Sequence, residues 1–307
     1  MEKAADIEAA VAALKRGGLV IMPTETVYGL AADAGDARAV AAVYAAKGRP
    51  AFNPLIAHVA DVATARRIAR FDERAERLAA AFWPGPLTLV LPVEDDALVC
   101  DLARAGLDTV AVRSPAHLVA HALLEAFGGP LVAPSANRSG RPSPTTYADA
   151  VEETGPAAAA ALDGGPCAIG LESTVVALID EARLLRPGSV TRSQIEALIG
   201  PLLEAEADAR RSPGRLSRHY APSLPLRLNA TEPRTDEVWL GFGPHGGSGF
   251  NLSPEGDLAE AAANLFAYLR AADRSQGAAG ISVAPIPDTG LGEAINDRLR
   301  RAAGFVG

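Results

Sequence analysis

Lysine is nearly missing from this chain: Lys3, Lys15 and Lys47 are the only three among 307 residues, and arginine supplies the rest of the 29 basic side chains. None of the three follows a glycine, which excludes a Gly-Lys-Ser/Thr phosphate loop. Cysteine is scarcer still. Cys100 and Cys167 are too few for a disulfide framework and share no CxxC spacing, so both read as reduced thiols. No apolar run approaches the ~18 residues of a membrane span; Leu87 to Val93, among the longest, is short and ends at charges. The start, Met1-Glu2-Lys3, leads into a charged, alanine-rich helical pattern and not into an apolar leader, so a cytoplasmic location is expected. A basic surplus is also lacking. With 29 basic against 37 acidic residues the net charge is −8, which argues against coating nucleic acid by bulk electrostatics and makes any anion site local.

Apolar material, by contrast, is ample at 49%, with 21% charged residues, so the chain can build real cores. Its 307 residues exceed the roughly 250 at which one core stops growing, and two domains are expected. Asp6 can cap a first helix that Gly17-Gly18 stops, and Leu19 to Met22 reads as a buried strand. Helices and strands then alternate: a helix from about Asp36, strands at Leu55–Val59, Leu87–Leu91 and Thr109–Val112, a helix from Pro115 to Phe127, and strands at Leu131–Ala133 and Thr174–Ile179. A Thr191-x-x-Gln194 capping box opens the last helix of this part. The pattern implies an α/β domain over residues 1–203. From 204 to 235 periodicity fails, Pro213, Pro222, Pro225 and Pro233 interrupt, and Arg210, Arg211, Arg215 and Arg218 cluster without an acid, which reads as a basic linker. Residues 236–307 then give strand, boxed helix at Asp257-x-x-Glu260, strand and helix, a small second α/β domain.

Two motif matches carry little. Gly241-x-Gly243-x-x-Gly246 follows a strand, but a glycine-rich loop comes next where a dinucleotide site needs a helix N-terminus. His117 and His121 have the i,i+4 spacing of a metal pair, yet no acid follows at ligand spacing. More informative are four polar segments at strand ends, Pro23–Gly29, Lys47–Pro54, Arg113–Pro115 and Pro134–Gly140. Singly each passes for an ordinary turn. Together they offer Lys47, Arg49, Arg113, Asn53, Asn137 and several hydroxyls against a single acid, Glu25, a ring of donors suited to a polyanionic substrate.

PTETVYGL (23–30), AKGRPAFNPLIAHV (46–59), FWPGPLTLVL (82–91), VAVRSP (110–115), APSANRSGRPSPTT (133–146) and DGGPCAIGLESTVV (163–176) resemble, in order, the YrdC-like threonylcarbamoyl-AMP synthases. The linker SPGRLSRHYAP and the tail are similar to the long two-domain branch of that family, so the resemblance spans the chain. It implies a YrdC-like twisted open sheet followed by a small Rossmann-like α/β domain. It also implies an enzyme that makes threonylcarbamoyl-AMP and pyrophosphate from L-threonine, bicarbonate or CO2, and ATP with Mg2+, with no metal ligands assigned. A downstream threonylcarbamoyl-transferase complex would act on tRNA, and neither membrane nor strong direct nucleic-acid contact is implied. By motif position, threonine falls to Thr26, His58, Arg113, Ser135 and Ser173, and ATP to Lys47, Arg49, Asn53, Thr109, Asn137, Thr145, Arg186 and Tyr220. Lys47, Arg49, Ser135 and Asn137 would carry catalysis; Glu25 and Glu172 would orient arginines, or Glu25 would help hold Mg2+. The resemblance makes the linker a lid over the nucleotide. A carbamoyltransferase that forms carbamoyl-adenylate and a double-stranded RNA-binding module are the alternatives. The first would need zinc-finger CxxC pairs that this chain lacks, and the second sits poorly with its acidic charge.

Overall fold

The computed structural model describes residues 2–95, 97–205, 220–244 and 249–304. The basic cluster Arg210, Arg211, Arg215, Arg218 and His219, and Gly246 of the glycine motif, lie outside the described residues. The local signals act where they were expected. Asp36, Asp61 and Asp72 each accept a backbone N–H at the head of a helix, and Thr191 and Gln194 form both halves of a capping box. In chain order the first elements are α1 (Glu2–Lys15), β1 (Val20–Met22), β2 (Gly29–Asp33), α2 (Ala37–Lys47), β3 (Ile56–His58), α3 (Val62–Ile68), α4 (Glu73–Phe82) and β4 (Leu87–Pro92). Then come α5 (Asp101–Arg104), β5 (Thr109–Arg113), α6 (Leu118–Phe127), β6 (Leu131–Val132), α7 (Tyr147–Thr154), β7 (Ala160–Ala161), β8 (Thr174–Leu178), β9 (Ala182–Arg186), α8 (Arg192–Ile199) and β10 (Leu203–Glu204).

These ten strands form one mixed sheet in the order β10-β9-β8-β4-β5-β3-β6-β2-β1-β7. Side chains alternate across it with period two. Ala57, Val110, Val112, Leu89, Leu91 and Val176 enter the main core with the buried sides of α2, α3, α4 and α8. Ile56, Val90, Ala111 and Val175 form a smaller cluster from the intervening positions. Ile56 and Ala111 face each other across the parallel β3–β5 pair, as do His58 and Arg113 two residues on. The polar pair therefore continues the second face of the sheet, and that face is the floor of the site.

A second sheet holds β11 (Leu226–Arg227), β12 (Glu237–Gly241), β13 (Gly249–Asn251) and β14 (Gly280–Val283), all parallel in the order β11-β14-β12-β13, with α9 (Leu258–Asp273) and α10 (Leu291–Ala302). Strand β11 lies inside the stretch read as linker, so part of that stretch pairs with β14. Among the described residues the element after β12 is β13, a strand, where a dinucleotide loop would lead into a helix. The Asp257 cap works with a detour, because Glu260 accepts from Ser253 Oγ, and Ser253 Oγ accepts the Asp257 N–H. The core of this sheet includes Val27, Leu171 and Tyr220 along with Leu265, Phe266 and Ile295, so apolar residues from the large-sheet side close it.

Candidate active site

The cavity opens on the β3–β5 face. His58 and Arg113 come from the strands beneath it, Thr26 from the loop after β1, Arg49 from the segment after α2 and Ser135 from the loop after β6. Ser173, Arg186 and Tyr220 complete the polar wall, with Glu172 as its one acid among the described residues.

Arg113 is fixed on three sides. Its Nε donates to Gly85 O (3.1 Å), Nη1 to Thr26 Oγ1 (2.9 Å) and Nη2 to Glu25, whose other oxygen accepts the Ala116 N–H. Glu25 is thus an orienter of Arg113. Three of the five guanidinium donors are used by described residues, and the planar fork is held in one pose, a shape that can match a carboxylate. His58 Nδ1 lies 3.1 Å from Ile56 O. Burial and the nearby Arg113 pull its pKa down to about 3, so the imidazole is neutral at physiological pH.

The other cations are anchored differently. Lys47, 3% exposed, donates to the carbonyls of Ser135 and Asn137, and burial together with Arg49 pulls its amine well below the ordinary lysine value. Arg49 donates to Asn53 O (3.3 Å) and Pro54 O (3.1 Å), and burial lowers it to about 10. Arg186 donates to Ser173 O (2.9 and 3.1 Å) and Ser173 Oγ (3.2 Å); that hydroxyl also bonds Thr88 Oγ1 at 2.7 Å. Neutral carbonyls and hydroxyls, with no carboxylate among them, thus accept the hydrogen bonds of these three basic side chains, an arrangement suited to an anion.

Several residues expected in the site stand outside the cavity wall. Lys47 and Asn137 sit behind the Ser135 loop, where Asn137 Nδ2 donates to Arg138 O and Arg141 O (both 2.9 Å). The Oδ1 atoms of Asn53 and Asn137 are buried with no partner among the described residues, acceptors in want of a donor. Thr145 is buried and its carbonyl accepts the Cys167 N–H. Thr109 does not line this cavity. It opens β5 opposite Pro92, while Arg113 closes that strand roughly 13 Å away at about 3.3 Å per residue. His117 caps α6, accepting the Val119 N–H, and His121 faces Glu125 at 3.4 Å. No group of three or more His, Cys, Asp or Glu able to hold a metal stands together among the described residues. The two acids near the cavity, Glu25 and Glu172, are engaged by Arg113 and Arg298.

Comparison with known proteins agrees with this geometry. The family model described as "Telomere recombination" matches residues 12–188, and that of the "Threonylcarbamoyl-AMP synthase, C-terminal domain" matches residues 190–304. The threonylcarbamoyl-AMP synthase of Bacillus subtilis is 40% identical over 323 aligned positions, covering 97% of this chain and 93% of that one. The chain belongs to the threonylcarbamoyl-AMP synthase family. The family's Pyrococcus abyssi member is 41% identical over 97% of this chain and 94% of its own length. The crystal structure of P. abyssi Sua5 complexed with L-threonine superposes with a TM-score of 0.89 at 39% identity, over 97% of this chain and 94% of that one. A family member of Mycobacterium tuberculosis is shorter: 201 aligned residues, 65% of this chain, cover 91% of it. No described helix is long and apolar enough to cross a membrane.

One residue behind the wall escaped sequence reading. Glu172 is held by Arg298, far along the chain, and Arg298 sits in an Asp-Arg-Leu-Arg-Arg run that reads as a solvated helix face. No local signal marks it.

Proposed function

We propose that this protein joins L-threonine, CO2 or bicarbonate, and ATP into threonylcarbamoyl-AMP, releasing pyrophosphate. The observation that carries the reading is the set of basic groups hydrogen-bonded to carbonyls and a hydroxyl, Arg49 and Arg186 in the cavity wall and Lys47 behind it, together with the braced Arg113. The threonine carboxylate rests on Arg113, beside Thr26, His58, Ser135 and Ser173. Its amine, once deprotonated, adds to CO2 to give a carbamate. A carbamate oxygen then attacks the α-phosphorus of ATP in line, the bond to the β-phosphate oxygen breaks, and pyrophosphate leaves. Lys47, Arg49 and Arg186 neutralise charge on the triphosphate, with Asn53, Asn137, Thr145 and Tyr220 around it. The site offers no nucleophile and its histidine is neutral; positioning and charge lower the barrier. Mg2+ would be held by the nucleotide's own phosphates and would supply charge neutralisation there, since Glu25 and Glu172 are already bound by Arg113 and Arg298. The product is consumed in the cytoplasm by a transferase complex that modifies tRNA.

Pyrophosphate release should require all three substrates and no RNA, and mass spectrometry should find the mixed anhydride. Arg113→Ala should weaken threonine binding about tenfold or more and leave ATP largely unaffected, and Arg49→Ala should do the reverse. Calorimetric titration of each ligand decides; an Arg113→Ala protein that binds threonine normally but loses ATP would invert the assignment.

A further inference from the structure

We propose that Arg298, on α10 of the C-terminal α/β unit, is a positioning residue of the active site: it fixes Glu172 and the Tyr220 ring in the cavity wall and cancels the Glu172 carboxylate there. This rests on the adenylate-forming reading above. Arg298 is wholly buried. Its Nε donates to Glu172 Oε2 at 2.9 Å, Nη2 to Pro187 O at 3.0 Å and Nη1 to Asp297 at 2.6 Å. Its guanidinium carbon lies 5.2 Å from the centre of the Tyr220 ring, and Phe266 of α9 packs against that ring at 5.4 Å. Glu172 and Tyr220 both line the cavity.

The chemistry explains why such a residue is needed. Burial works against a charge on Glu172, but Arg298, Arg186 and the Ser143 hydroxyl together hold its carboxyl below the usual range, so it is ionised. An ionised acid in the wall of a polyanion site repels the substrate unless a cation holds it. Arg186 is also near, yet it is aimed at Ser173 and belongs to the cation set. Without Arg298, the carboxylate would capture Arg186 and remove it from the phosphates. Although burial opposes its charge, Arg298 is held above the ordinary guanidinium range by the facing Tyr220 and Glu172, so it stays charged.

The contrast with Arg274 separates this role from docking. Arg274 also joins the two units, through Asp149 (2.9 Å) and Glu152, but it is half exposed and reaches no wall residue. In the full chain, Arg298→Ala should raise the KM for ATP about tenfold or more, whereas Arg274→Ala stays within about twofold of the parent. Arg298→Lys, which keeps the charge but not the fork, should fall between. Adding Glu172→Gln to Arg298→Ala removes the stranded charge and should restore most of the ATP affinity, which a purely structural loss would not allow. A parental KM in Arg298→Ala, or no recovery in the double variant, overturns the proposal. Should Arg298→Ala fail to unfold cooperatively, the double variant decides alone: ATP affinity near the parent supports the proposal, and a loss as large as tenfold overturns it. If the parent itself makes no adenylate, the functional reading falls, while calorimetric ATP titration of the same variants still judges Arg298.

Discussion

His58 shows how one buried side chain writes a pH dependence into the whole protein. Unfolded, its pKa is near 6.5; folded, burial and Arg113 bring it to about 3. Between those values the unfolded chain binds more protons than the native one, so native stability rises with pH across that window and is lost on acidification. The slope is about 1.4 kcal/mol per pH unit, so going from pH 6.5 to 5 costs about 2 kcal/mol from this residue. Denaturant titrations at pH 7 and 5 should show that loss in the parent and a smaller one in His58→Gln. Equal losses would mean that the imidazole carries a proton in the folded state.

At the level of elements, the second sheet is seated on the large-sheet side through a contact that tolerates no side chain. Gly170 has φ +73, and a Cβ there would lie 2.6 Å from the Ala262 carbonyl and the Ala263 Cα of α9. Gly170→Ala therefore adds left-handed strain of about 1–2 kcal/mol and pushes α9 outward. It should lower the melting temperature and open the junction to limited proteolysis; a parental cleavage pattern would show that α9 is not seated by this approach. The glycine's requirement arises from a partner almost a hundred residues away, and the same holds for the elements that sequence reading missed. Strand β2 opens on glycine and contains three of the least β-prone residues, yet pairing with β1 and β6 makes it a central strand. Helix α7 follows a proline-rich loop, and β9 mixes arginines with leucines in a hairpin broken by a bulge. What the chain does declare locally is capped or strongly periodic: α2, α8, β4 and β5 fall within a residue or two of their expected bounds, and α9 starts at its expected Asp257 cap. The site divides in the same way. Motif residues beside Thr26, Lys47, Arg113 and Ser135 can be read along the chain, whereas Arg298 is defined only by what it meets in space.

For the molecule as a whole, the two units share a polar seam as well as a core. Arg270 of α9, 4% exposed, donates to Glu153 and Pro142 O, and Glu153 in turn accepts the Arg138 N–H and pairs with Arg141, tying the Asn137 loop to the second unit. Ending the chain after Pro201 would strand Glu153 and Glu172 without Arg270 and Arg298 and bare Val27 and Leu171. The truncated protein should still unfold cooperatively, since the ten-stranded sheet and its main core lie before residue 205, but with a lowered midpoint and with most threonine-dependent pyrophosphate release gone. Full activity would assign the C-terminal half to a tether.

The cavity's cations are sunk beneath an acidic exterior, and the two fields differ in reach. Within about a Debye length of its surface the nucleotide meets a chain of net charge −8 and is repelled; inside the cavity it meets Arg49 and the almost wholly buried Arg186. Mobile ions screen the first field and scarcely enter the second. Added salt should thus ease the approach of ATP while leaving its departure nearly unchanged, the reverse of a nucleic-acid-binding face, where counterions loosen the grip.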